Sequence, residues 1–450
     1  MATTYLSRTP SSTTNQKTFT ISVWIKKTNP TVGQWIIRAT NSSGDAGGIY
    51  FNSSLNIVLN FEISGSNIVN LPTNRVFRDV SAWYHIVLAV DTTQATDTNR
   101  IKLYVNGVQE TSFSSTLYPS QNDDLVINRN VPHFIGTDST GGARLESIMS
   151  HFHLIDGTAY PASAFGETNA ASGIWTPLAS PSVTYGTNGF FLKFANSGAL
   201  GTDSSGNSNT FTVNGSGTQT QDAPSNVFAT MNPLATSSYI TLSNGNLTAT
   251  GNTGTDSGNS FCNYVPTTGK WYVEYKVTGI NGNSAPAIGI RQEYPDGFQL
   301  KNTSTGMAGY ATAYEASIRR DGQRFQNNGT GSWGTSYTTG DIISIALDCD
   351  NGAGYIAKNA TYMNSGDPTS GASKTGAFVV WTQAQVNNFG QAFAVNNYNG
   401  SGTQANFGNG YFGTTAVASG NADGAGYGIF EYVPPTGYYS LCTKNINTYG

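Results

Sequence analysis

At 450 residues the chain is long enough for two or three domains. Charged residues make up only 11%, against roughly 25% in ordinary soluble domains, while aromatics reach 12%, too many for a disordered chain. A net charge of −4 with no basic cluster argues against phosphate-driven binding of nucleic acid, and no apolar run approaches the roughly 20 residues of a membrane span.

Residues 1–17 lack the apolar core of a secretory signal. Residues 19–26 then alternate, with Phe19, Ile21, Val23 and Ile25 on one face and Thr20, Ser22, Trp24 and Lys26 on the other. Residues 55–63 repeat that pattern, and period two predicts strands with one buried face. Residues 83–90 are apolar on both faces, which predicts a central strand. The run 101–105 enters Asn106-Gly107, a hairpin signal because a type I′ turn needs positive φ twice. Residues 145–156 place Ile148, Ser150, Phe152 and Leu154 on one side. Strand-like runs at 190–194 and 210–213 flank a dense turn at 201–207, and a Gly/Ser/Thr/Gln-rich connector follows.

The second half carries a run at 238–249 interrupted by Asn244-Gly245, then an alternating strand at 269–277. Further strands are expected at 287–290, 341–348, 355–358, 378–381, 392–395 and 404–408. Few charges, many aromatics and frequent turn residues make this an all-β chain. Cys262, Cys349 and Cys442 are too few and too odd in number for a disulfide framework, so buried thiols and a reducing compartment are expected.

The segments FTISVWIKK, WYHIVLAVD, IKLYVNGVQ and HFHLIDG, in that order, resemble the laminin-G-like jelly roll of concanavalin type across about 1–215. GKWYVEYKV, AIGI, GDIISIALDCDNG and ANFG resemble the SPRY domain, another concanavalin-like sandwich, across about 236–412. This second likeness departs at Lys358-Asn359-Ala360, where the family carries Asn-Gly, which weakens the hairpin expected there. The implied fold is two concanavalin-like β-sandwich (jelly-roll) domains in tandem: 1–215, a linker at 216–236, a SPRY-like sandwich at 237–432 and a tail at 433–450. YLSRTPSSTTNQKTFTISVWIKK, FGETNAASGIWTPL, YGTNGFFLKF, GTDSSGNSN and YVPPTGYYSLCTKNINTYG resemble a group of marine bacteriophage proteins.

Retaining glycosidases need two carboxyls about 5–5.5 Å apart, and no two of the eight glutamates (62, 110, 146, 167, 274, 293, 315, 431) are close enough to share one strand. No catalytic residue is assigned. His151 and His153, with His85 or His133, could hold zinc, but His-x-His on a half-exposed strand reads better as polar surface, so no metal residue is assigned. Asp45, Asp123 and Asp124 sit in loops where some concanavalin-like lectins hold Ca²⁺; calcium is the one cofactor considered, without ligands. Loop aromatics of the second domain (Tyr294, Phe298, Tyr310, Tyr314, Phe325, Trp333, Tyr337) beside neutral amides suit sugars, and Tyr310, Tyr314, Phe325, Trp333 and Tyr337 are the ligand-binding candidates.

The phage resemblance implies a non-enzymatic virion surface protein made in the host cytoplasm. It would act as a tail fibre, receptor-binding or adhesion module for host-surface glycan. The alternatives are a head decoration or head fibre bound to the capsid and, less favoured, a polysaccharide-degrading enzyme. Other virion proteins are the implied partners, in a homo-oligomer that is trimeric by analogy with phage fibres, without nucleic acid or membrane insertion. Coiled-coil heptads, collagen repeats and long β-helical repeats are not visible, which favours a compact appended module over a long shaft.

Overall fold

The structure is a computed structural model that describes residues 4–29, 33–170, 173–254, 256–282, 285–292, 308 and 315–450. The chain divides into two compact units, Met1–Gln219 and Thr220–Gly450. Among the described residues each unit is built on two large, mainly antiparallel sheets around its own apolar core.

In the first unit one sheet has seven strands, in spatial order Thr212–Asn214, Tyr5–Arg8, His133–Ile135, Gln34–Thr40, Ala46–Phe51, Ile57–Ile63 and Ser66–Pro72. The other has six, ordered Phe190–Leu192, Ser147–Asp156, Thr18–Lys27, Tyr84–Asp91, Ile101–Val105 and Val108–Glu110. Phe19, Ile21, Val23 and Ile25 enter the core between them, as period two demands. Thr20, Ser22, Trp24 and Lys26 are buried as well, which the alternation does not predict. The cause is a cover: residues 158–170 and 173–185 supply groups on the outer face of the six-stranded sheet, with Ala162 and Phe165 packed on Val87 and Ile155. Tyr84–Asp91 is central and buried on both faces, as expected.

The phase predicted for 145–156 fails at one residue. Ser150 pairs with Trp24 and His153 with Ser22, so a bulge lies between them, and His151 takes φ 48°. Phe152 and Leu154 face the core while Ser150 stands beside Trp24 on the outer face. The turn at 201–207 is organised by Asp203, whose carboxylate accepts the N–H groups of Phe191, Ser205 and Asn209 and the Ser205 hydroxyl, each at 2.8 Å.

The segment 216–236 is not a linker. Met231–Thr236 is the edge strand of the second unit, paired with Ser257–Cys262, and Phe228, Ala229 and Met231 are buried. Nor is 433–450 a tail: Tyr439–Ser440 pairs in parallel with Lys270–Gly279, and Tyr438, Leu441 and Cys442 are buried. Single large apolar anchors set among Pro, Thr and Asn seat these segments, and average composition hides them.

The second unit's seven-stranded sheet runs Met231–Thr236, Ser257–Cys262, Gln391–Tyr398, Ala287–Gln292, Ala316–Arg319, Gln323–Gln326 and Gly329–Ser332. Its partner, of nine strands, is built around Gly402–Asn406, Lys270–Gly279, Ile342–Asp348 and Ala353–Lys358. Trp271, Val273, Tyr275 and Val277 fill the core. Tyr272 and Glu274, on the opposite face, are buried among Phe430, Tyr438 and the backbone of 431–432. The hairpin placed in doubt by Asn359-Ala360 forms nevertheless: Lys358 pairs with Thr361, and both turn residues take positive φ, 46° and 67°. The three cysteines are buried thiols, and no disulfide forms among the described residues. Among the described residues no helix is long and apolar enough to cross a membrane.

Candidate functional site

At the margin of the cover on the first unit, a groove of about 290 Å³ opens on the six-stranded sheet. Ala89, Asp91, Lys102 and Tyr104 are its sheet residues, Gln94 and Asn99 come from the connection between two strands, and Tyr160 and Pro161 stand on the cover side. Strand alternation places them. Ile101, Leu103 and Val105 point into the core, which leaves Lys102 and Tyr104 on the outer face, and Lys102 pairs with the small Ala89.

The walls are fixed by hydrogen bonds instead of regular structure. The Arg100 guanidinium donates to the carbonyls of Gln94 (2.8 Å), Ala95 (2.8 Å) and Pro119 (2.7 Å), holding the connection on one side. On the other, Thr20 Oγ1 donates to the Thr158 carbonyl and accepts the Tyr160 N–H, both at 2.8 Å. Asp91 accepts the N–H and hydroxyl of Thr93 and the amide of Gln94. Partial burial alone would raise its carboxyl, but these donors outweigh that effect and hold it below the usual carboxylate range. Burial raises the Tyr104 phenol. Two half-buried tyrosines beside amides, a carboxylate and an ammonium can stack on the C–H face of a pyranose and bond its hydroxyls.

Among the described residues, the loop aromatics singled out in the second unit are Phe325, Trp333 and Tyr337. Tyr294, Phe298, Tyr310 and Tyr314 lie outside the described residues. Phe325 sits within the strand Gln323–Gln326 and is buried. Tyr337 is 2% exposed, and its hydroxyl lies 2.7 Å from the Pro286 carbonyl and 3.0 Å from that of Ile318. The expectation of exposed loop rings fails for both: Tyr337 belongs to the sandwich core, and Phe325 is buried within a strand. Trp333 is half-buried, edge-on to Phe378 at 5.7 Å with the Arg324 guanidinium 4.2 Å above its ring. The groove residues went unnoticed in the sequence, although an aromatic out of phase in IKLYV was the available signal.

His85, His133 and His153 are buried and His151 is half-buried, so the polar-surface reading of His-x-His fails for His153. His85 Nε2 lies 2.9 Å from Ser22 Oγ, the distance expected of a nucleophile and its base. The other ring nitrogen decides the matter. Trp175 Nε1, which can only donate, bonds His85 Nδ1 at 2.9 Å. His85 therefore carries its proton on Nε2 and donates to Ser22, the reverse of general-base activation. Burial pushes its pKa down to about 3, and that of His133 to about 4, so both rings are neutral. Asp45 bonds Arg129, Asn41 and the Ser64 N–H, and no group of three metal-ligating side chains exists among the described residues.

In the second unit Glu274 is fully buried. It accepts the N–H groups of Tyr432 (2.8 Å) and Glu431 (2.9 Å), the Asn406 amide and the Tyr272 hydroxyl (both 3.3 Å). Burial raises its carboxyl to about 7 against those bonds. Its partners are this chain's own backbone and side chains, an arrangement that latches residues 431–432 onto the sheet.

Fold and groove together define an all-β chain of two β-sandwiches, the first with a polar, tyrosine-flanked groove. Residues 2–163 match the Laminin G family model described as the concanavalin A-like lectin/glucanases superfamily. Among solved structures, the SPRY domain of human HERC1 is 16% identical at a TM-score of 0.28, with 39% of this chain and 96% of that one covered. A second human SPRY domain is 13% identical at a TM-score of 0.26, covering 37% and 94%. The heptameric SAP-like pentraxin of Limulus polyphemus is 16% identical at 0.28, covering 36% and 72%. No curated protein matches the chain.

Proposed function

We propose that this chain is a non-enzymatic surface protein of a bacteriophage particle, whose first sandwich binds host-surface carbohydrate. The observation that carries the binding role is the groove: Tyr104 and Tyr160 with Asp91, Gln94, Asn99 and Lys102, in the unit that matches a lectin-type family model. Rings supply apolar contact and the polar side chains supply orientation, the usual division of labour in a small-ligand site. The likeness of five separate strings to marine phage proteins supports placement on the particle. Ser22 receives a hydrogen bond from His85 and gives up no proton to it, which supports binding without hydrolysis.

Two measurements test the reading. Quantitative mass spectrometry of purified particles should find the chain. A copy number near that of the major capsid protein would mean head decoration, a handful would mean a tail appendage, and absence would overturn the virion role. Binding of the purified chain to host-surface polysaccharide should fall at least ten-fold in Tyr160→Ala, since stacked aromatic contact with its buried area is worth about 1.4 kcal/mol or more. Equal binding by that variant would remove the groove from the account.

A further inference from the structure

We propose that the groove selects saccharides carrying an anionic substituent, a uronate carboxylate or a sulfate ester, seated on the Lys102 ammonium. This rests on the carbohydrate reading above and narrows it. The argument is an inventory of donors and acceptors. Among the described residues Asp91 is the only carboxylate lining the groove, and it is already engaged within its own turn: Oδ1 accepts the Thr93 N–H at 3.1 Å and the Thr93 hydroxyl at 2.6 Å, and Oδ2 accepts the Gln94 amide at 2.6 Å. A carboxylate offers about four lone-pair sites, so one remains.

The donors are in the opposite condition. Lys102 lines the groove from mid-strand, half-buried, and among the described residues it makes no ion pair and no hydrogen bond. Its three N–H donors have no acceptor. Tyr160 Oη accepts the Thr184 N–H at 3.3 Å, so its own proton is free to donate into the groove. The exposed Asn99 amide and the Gln94 amide each offer a carbonyl acceptor as well as N–H donors and so serve either kind of partner, which leaves the Lys102 charge as the feature without a counterpart.

A neutral pyranose hydroxyl can bond these amides but brings no charge to set against the ammonium. A carboxylate or sulfate brings acceptors alone, together with the charge that the ammonium lacks. Ala89, cross-strand from Lys102, leaves the space in which such a group can sit. The gain is modest because the groove is open to solvent and its ion pair is screened. Exposed pairs correspond to roughly a five-fold change in affinity, and charge-assisted bonds raise that toward ten-fold.

The test is titration of the full chain with oligosaccharides of equal length: an oligouronate, a sulfated galactan and a neutral β-glucan, each at low and at moderate salt. The expected result is five- to ten-fold tighter binding of an acidic probe than of the neutral one, weakening as salt rises. Preference for the oligouronate alone or the sulfated galactan alone supports the proposal and identifies the source of the anion. Lys102→Gln should cut acidic binding by that same factor and flatten its salt dependence, and Lys102→Arg should retain both. Circular dichroism checks that each variant folds. Equal affinity for acidic and neutral probes in the native chain, or an acidic preference that survives Lys102→Gln, overturns the inference while Tyr160-dependent binding leaves the carbohydrate reading in place. If no saccharide of either kind binds, the carbohydrate reading itself falls.

Discussion

Both units bury the outer face of one sheet under a late segment of their own chain, but they fix that segment by opposite chemistry. In the first, aromatic side chains of the cover meet neutral imidazole groups: Trp175 donates to His85, and Tyr185 Oη lies 2.9 Å from His153 Nδ1. In the second, residues 431–432 are held through their backbone by a buried carboxylate, Glu274. A buried neutral ring asks only for a partner of matching polarity, whereas a buried carboxylate asks for several donors at once. The first arrangement tolerates loss of one bond. The second is all-or-none.

The largest expected effect follows from that difference. Glu274→Ala leaves the Glu431 and Tyr432 N–H groups without their acceptor, while the Asn406 amide keeps the Ile429 carbonyl at 3.0 Å. At about 1–3 kcal/mol for each unsatisfied buried group, partly offset because a buried charge is removed too, the second unit should lose about 3 kcal/mol. Hydrogen exchange should then rise across 431–450 and stay unchanged across 158–185. Equal acceleration in both segments would refute the latch.

The first unit's cover is held by shape more than by any one bond. Gly107 has φ 82°, and a Cβ there would fall 2.7–2.9 Å from three atoms of the Trp175 ring. Gly107→Ala combines a left-handed penalty with a clash and should cost about 2–3 kcal/mol in thermal unfolding of the first unit. A cost below about 1 kcal/mol would mean that Trp175 moves freely and that the cover is loosely seated.

The two chemistries also set opposite responses to pH. His85 in the unfolded chain titrates near 6.5, whereas the folded group stays neutral down to about 3. The unfolded state then binds more protons, so the first unit loses stability as pH falls through 6.5 toward 3, by at most about 1.4 kcal/mol per pH unit for each such histidine. Glu274 shifts from 4.5 to about 7 on folding. Its stabilising contribution is full below pH 4.5 and is lost as pH rises through 7. Between about pH 4.5 and 6.5 the two units should therefore move in opposite directions, which peptide-resolved hydrogen exchange can follow. Parallel slopes would sink the comparison. Trp175→Phe sharpens it: without the indole N–H, Nδ1 of His85 can take a proton, so its pKa should rise in an NMR titration, with a loss of about 1 kcal/mol.

Those contrasts mark where the sequence was legible. Period-two alternation found the core faces of Thr18–Lys27 and Lys270–Gly279, because a strand's inward residues declare themselves locally. It could not show that the other faces are buried too, since what covers Ser22 and Trp24 lies more than 130 residues away, as the Thr20–Thr158 bond measures. The His151 bulge was equally hidden, because nothing in SHFHL requires positive φ at a histidine. The aromatics of the second unit misled for a related reason. Phe325 and Tyr337 carry the same sequence signature as ligand-stacking rings, and only burial separates the two uses. In the groove, Lys102 and Tyr104 could be read as outward-facing, but their meeting with Tyr160 is tertiary.

The smallest effect tests the turn chemistry on which both readings of hairpins relied. Asn106-Gly107 and Asn359-Ala360 close two-residue hairpins with similar positive φ, 49° and 82° in one, 46° and 67° in the other. The first uses glycine, which meets no Cβ penalty; the second places alanine where an L-residue is disfavoured by about 1–2 kcal/mol. Thr361 still pairs with Lys358, so the strands on either side impose the turn on an unfavourable residue. Ala360→Gly removes that strain but gives the unfolded chain more freedom, worth about 0.4–1 kcal/mol in the opposite sense. Residue 360 is exposed, so no packing is disturbed. The net expectation is a gain of about 0.5–1 kcal/mol for the second unit in denaturant unfolding, opposite in sign to Gly107→Ala in the first. A loss instead would show that Ala360 is held by contacts stronger than its backbone preference, and that the two hairpins are alike in shape but not in origin.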